Sequence, residues 1–178
     1  MNANLELIRD FVNTWELDDG EEKEGLPSGA AVRDWMAGRG LLAPSARVSS
    51  DDRGRTIAVR EAIRGALLRN NGVDLVVARE PLEDTARRAR LELRFGPEGT
   101  AALTPGAAGI DGALGRIVAA IATAQGDGSW ERLKACRADD CLWAFIDHAR
   151  NRSRSWCSMS SCGNRAKMRA YRERHGAI

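Results

Sequence analysis

All four cysteines of this 178-residue chain fall between residues 136 and 162, in two pairs of identical spacing. Cys136 and Cys141 enclose four residues, fifteen residues follow, and Cys157 and Cys162 enclose another four. A tetrahedral four-thiolate site needs such a pattern, because each pair forms one knuckle and the connector lets the two converge. Four thiolates leave no coordination position for substrate, so the expected group is one structural Zn2+ on Cys136, Cys141, Cys157 and Cys162. The same residues would also suit iron in a rubredoxin-like site, two disulfides, or buried thiols without a ligand. A secreted disulfide scaffold, however, would not leave the first 135 residues free of cysteine, and a reducing compartment is the better fit. His148, on the connector, reads as a partly exposed side chain rather than a ligand.

The metal also bears on domain organisation. Gly126–Asp127–Gly128–Ser129 punctuates the chain just before the cysteines, giving an expected division into residues 1–126 and 130–178. The second part has only Leu133, Leu142, Trp143, Phe145, Ile146 and Trp156 for a core. Zinc should therefore supply much of its folding free energy, on the order of 10 kcal/mol.

The first part reads as mainly helical. Leu5, Ile8, Phe11, Val12 and Trp15 recur at helical spacing over 4–17, and Asp18 to Pro27 reads as a polar loop. Ser28 is placed to cap a helix carrying Val32, Trp35 and Met36; Asp51–Asp52 suit the start of a third, with Val59, Ile63, Ala66 and Leu67 on one face. Pro81 interrupts the next helical pattern. LELRF and TAALTP, separated by Gly96–Gly99, predict a two-stranded hairpin, and Leu114, Ile117, Val118 and Ile121 mark another helix. The expected fold is mainly α: a helical domain with a small β-hairpin, then a small four-cysteine finger ending in a basic helix.

Charge is divided unevenly. Residues 130–178 carry eleven Lys/Arg against five Asp/Glu, a net of +6, and residues 1–129 a net of −4. From 150 to 174 there are eight basic side chains, Arg150, Arg152, Arg154, Arg165, Lys167, Arg169, Arg172 and Arg174, against one acid, Glu173. After Cys162, Arg165, Arg169 and Arg172 line one helical face, Lys167 and Arg174 share the opposite flank, and Met168 and Tyr171 are expected to lean on the metal core. A one-signed run on a metal-fixed scaffold suits a polyanion, so these eight residues are the candidate nucleic-acid contacts, with DNA the expected partner. RNA binding, and docking onto an acidic protein partner, use the same charges.

No stretch approaches the roughly 18 apolar residues of a membrane span, and no signal peptide is evident, so a soluble cytoplasmic protein is expected. With only His148 and His175, and no phosphate-cradling or dinucleotide motif, the chain offers no catalytic constellation, and no enzyme is expected.

The string CRADDCLWAFIDHARNRSRSWCSMSSCGNRAKMRAYRERH resembles the CGNR zinc finger, whose signature is present as Cys162–Gly163–Asn164–Arg165. Asp139–Asp140, Asp147 and Arg150–Asn151–Arg152 fit the same pattern, over residues from about 130 to 176. Upstream, LIRDFVNTW and LPSGAAVRDWM followed by GLL are similar to the ABATE domain that precedes this finger, described as a stress-induced transcription regulator. The resemblance implies a bacterial regulator with the four cysteines as metal ligands. A helical domain ahead of a nucleic-acid module suggests dimerisation or binding of a small-molecule effector, for which Asn13, Thr14, Arg33 and Asp34 offer hydrogen bonds, although capping and surface roles are the better account of these four and they are not taken as site residues.

Overall fold

The computed structural model describes residues 2–18 and 20–176. Helix α1 (Ala3–Val12) starts at Asn2, whose side chain accepts from the N–H groups of Asn4 and Leu5, and buries Leu5, Ile8, Phe11 and Val12. It stops five residues short of the expected end. Trp15–Asp18 forms β1, paired antiparallel with β2 (Glu21–Glu24) inside what the sequence suggested was a polar loop. The strand EEKE has no alternating apolar residues to announce it. It is anchored instead by Glu24, whose carboxylate accepts from Arg60 Nη1 and Nη2 at 2.7 and 2.8 Å.

Helix α2 (Gly29–Ala37) is capped by Ser28, and α3 (Ser50–Asn70) by a reciprocal Ser49–Asp52 box. Pro81 sits in the first turn of α4 (Glu80–Ala89). The expected hairpin is β3 (Leu91–Phe95) with β4 (Ala101–Pro105), and α5 runs Gly109–Gly126. Gly115 lets α5 approach closely: a Cβ there would lie 2.4 Å from that of Ala89 and 3.2 Å from that of Pro105.

Ile8, Phe11, Val32, Met36, Ile63, Leu67, Leu114 and Ile117 fill the core between α1, α2, α3 and α5. Trp130, Leu133, Ala135 and Ala144 belong to the same cluster. They come from a short 3-10 turn (Trp130–Arg132) and a third antiparallel pair, β5 (Leu133–Ala135) and β6 (Ala144–Ile146), which lies against α3 and α1. Leu133, expected to help a separate small core, is thus fully buried in the shared one.

Side chains aimed at backbone groups stitch this pair in place. Asn13 bonds both backbone groups of Ala144; Arg64 donates to Val12 O at 2.8 Å and Leu142 O at 3.0 Å. At the end of α3, Asn70 donates to Leu133 O, and Asn71 to Ala135 O (2.7 Å) and Ser155 O (2.8 Å). Nearly every buried polar group here has a partner, as the cost of leaving one bare requires.

Candidate metal centre and basic helix

The four cysteines arrive from two loops. Cys136 directly follows β5 and donates its N–H to Trp143 O; Cys141 closes the first knuckle by donating to Ala138 O at 3.0 Å. Cys157 lies just before, and Cys162 within, a single π-helical turn (Met159–Gly163) that runs into α6 (Asn164–His175). All four thiols are free, and their sulfurs lie within 4.8 Å of one another, with Cys141–Cys157 and Cys157–Cys162 at 3.6 Å.

These separations suit zinc. Tetrahedral Zn–S bonds of about 2.3 Å place sulfurs about 3.8 Å apart, whereas a disulfide needs about 2.05 Å. The donor set itself calls for a dication. Hydrogen bonds from Cys141 and Cys157 pull the Cys136 thiol down to about 2, while Cys136 pushes Cys141 up to about 12 and Cys157 up as well. Among these three, one thiolate thus forms at the expense of its neighbours, and a shared cation lets them ionise together. The four cysteines lie together as a single zinc-binding site, which Cys136, Cys141, Cys157 and Cys162 fill completely.

The residues after Cys162 each have a geometric reason. A Cβ at Gly163 would lie 2.9 Å from Met159 Sδ and 3.3 Å from Trp156 Cδ1, so glycine lets the turn close over the indole. Asn164 does not cap α6 as the sequence suggested; it lies within the helix and donates to Ser160 O at 3.1 Å. Arg165 places Nη2 at 3.4 Å from both Cys162 Sγ and Asp140 Oδ1, so one guanidinium bridges the fourth ligand and the first knuckle.

Asp139 and Asp140, on the first knuckle, reach α6 on the second. Arg169 pairs with Asp139 at 3.0 Å and Asp140 at 3.5 Å, and its hydrogen bond holds the Asp139 carboxyl below the ordinary range. The basic run, with Glu173 as the one acid of its own, thus finds carboxylate partners on the first knuckle: Arg165 and Arg169 are positioned by this acidic pair. Met168 and Tyr171 are also placed differently. They are 54% and 51% exposed, Tyr171 stacks on His175, and α6 buries none of its described side chains.

The remaining cations of the run differ in their surroundings. Arg152 pairs with Glu131, and Arg154 lies over the Phe145 ring while donating to Cys157 O at 2.7 Å. Arg150, Lys167 and Arg172 are exposed and in no ion pair among the described residues; Arg174 bonds only the Ala170 carbonyl of its own helix. His148 is exposed and outside the sulfur cluster.

Sequence reasoning missed the device that shapes the connector. Lys134 and Asp147, 5% and 0% exposed, pair at 2.9 Å, and Lys134 also donates to the carbonyls of Arg152 and Arg154. Asp147 accepts from Ala149 N and Arg154 N. A lysine, one of three beside 24 arginines in the chain, was the available signal.

Residues 132–175 match the CGNR zinc finger, and residues 5–135 match ABATE, described as "Putative stress-induced transcription regulator". Neither description names a catalytic activity. A comparison with curated proteins gives no significant match. Among the described residues, no helix is long and apolar enough to cross a membrane.

Proposed function

The chain belongs to the ABATE family and carries a CGNR zinc finger, and from that premise we propose that it is a bacterial transcription regulator that binds DNA through α6. On this reading, residues 130–178 grip the duplex and residues 1–126 receive the signal. The supporting observation is the exposure of α6: a helix without a buried side chain, offset from the zinc knuckles by two arginine–aspartate clasps, serves no packing role. Its cations occupy two flanks, Arg172 with Arg165 and Arg169 on one, Lys167 and Arg174 on the other. A helix lying in a major groove meets phosphates on both walls, which suits that distribution. Arg150, Arg152 and Arg154 add charge from the connector.

Fluorescence anisotropy of the zinc-loaded chain on duplex DNA tests the reading. Affinity should fall by about two orders of magnitude or more as salt rises from about 50 to 200 mM. Absence of DNA binding at low salt overturns it.

A second reading has its own support. Exposed Met168 and Tyr171 among the arginines also suit an acidic protein partner, making the finger an adaptor. RNA in place of duplex DNA in the same titration distinguishes a third polyanion.

A further inference from the structure

A cleft of about 790 Å3 lies where the front helices meet the finger, within the size range of small-molecule sites. Asn13, Thr14 and Gly25 border it from one side, and Ala144, Phe145 and His148 from the other. Each side also contributes an indole, Trp35 and Trp143, both half-buried.

The charges lining it do not cancel. Arg9, Lys23, Arg39 and Arg154 are the cations; Asp10, Glu16 and Glu24 are the carboxylates. Glu24 is already met by Arg60, which is buried and does not line the cleft. Four cations therefore face two carboxylates: Asp10, shared by Arg9 (2.7 Å) and Arg39 (3.8 Å), and Glu16, 3.7 Å from Lys23. Among the described residues, the Arg154 side chain has only a carbonyl and the Phe145 ring as partners, and Arg39 lies 4.0 Å above the Trp35 ring.

We propose that this cleft binds a small planar aromatic carboxylate, its ring against the indoles of Trp35 and Trp143 and its charge met by the surplus guanidinium groups. Aromatic faces beside cations select a flat anion, and charge-assisted hydrogen bonds select carboxylate over amide.

The site touches the metal centre. Cys157 lines the cleft, and an adjoining recess of about 340 Å3 shares Glu16, Lys23, Trp143 and Cys157 with it and extends to Cys141, Cys162 and Arg165. An occupant thus lies against a zinc ligand at the base of α6. The proposal does not depend on DNA binding and is tested without it.

Isothermal titration calorimetry on the zinc-loaded full chain would use three probes: naphthalene-2-carboxylate, naphthalene-2-carboxamide and inorganic phosphate. The carboxylate should bind saturably at one per chain, with the amide and phosphate at least about tenfold weaker. The K23Q/R39Q variant, altered at two partly exposed cations, should weaken the carboxylate by about tenfold or more with zinc content and melting temperature unchanged; a R172Q control on α6 should bind as the parent does. No saturable heat from the carboxylate up to about 1 mM overturns the proposal. So does equal binding of the amide or phosphate, or unchanged carboxylate affinity in a folded K23Q/R39Q protein.

Discussion

Asn13 and Ala144, 131 residues apart in sequence, exchange two hydrogen bonds: Asn13 Nδ2 donates to Ala144 O at 2.9 Å, and Ala144 N donates to Asn13 Oδ1 at 2.8 Å. The amide side chain stands in for a neighbouring strand on β6 and ties the end of α1 to the zinc-bearing segment. Asn13→Ala would leave both backbone groups of a buried residue bare. We expect a loss of about 2–3 kcal/mol in urea denaturation of the zinc-loaded protein. A change below about 0.5 kcal/mol, the scatter of ordinary surface substitutions, would contradict this role.

The buried Lys134–Asp147 pair should be costly to break from one side. Lys134→Met should lower stability at neutral pH by about 3–5 kcal/mol, because Asp147 would remain charged and buried. Urea denaturation gives the value directly, and a loss under about 1 kcal/mol would show that the connector does not depend on this pair.

Asp147 also fixes a pH dependence. Burial raises its pKa, but the hydrogen bonds from Lys134, Ala149 N and Arg154 N outweigh burial and hold it below 3.8. A lowered folded-state pKa gives stability that is fully present above the unfolded value and lost as pH falls through the folded one. The deficit of Asp147→Asn relative to the parent should therefore be largest at neutral pH and shrink below pH 3.8. Measuring both proteins with chelator present keeps metal release out of the comparison; a deficit that stayed constant down to about pH 2 would contradict the assignment.

Zinc removal should act on a bounded region. Leu133, Ala135 and Ala144 belong to the main core, whereas Cys136, Ala138 and Cys162 form a separate small cluster with Cys141, Trp156 and Cys157 around the metal. After chelation, hydrogen exchange should accelerate over residues 137–143 and 156–175 while β5, β6 and α3 stay protected. Uniform loss of protection across the chain would show that the metal supports the whole fold.

The periodic features were legible because local physics decides them. The apolar stripe of α1, the Ser28 cap, the LELRF hairpin and the paired cysteines each follow from short-range pattern. What escaped the sequence depends on partners far along the chain. EEKE becomes a strand because Arg60, 36 residues from Glu24, meets its carboxylate. Arg64 and Asn71 look like ordinary helix-surface residues until the backbone they bond, at Leu142 and at Ala135 and Ser155, is brought to them. The arginine run showed its charge in the sequence but not its division of labour. That Arg165 and Arg169 clasp Asp140 and Asp139 follows only once the zinc knuckles converge.

That division gives the most direct test of the DNA reading. Lys167, Arg172 and Arg174 have no carboxylate partner among the described residues, so K167Q/R172Q/R174Q removes charge without releasing α6 from the knuckle. The slope of log affinity against log salt on duplex DNA should flatten by about two to three units in this variant, with one zinc per chain retained. A slope equal to that of the parent would place the phosphates elsewhere and contradict the account.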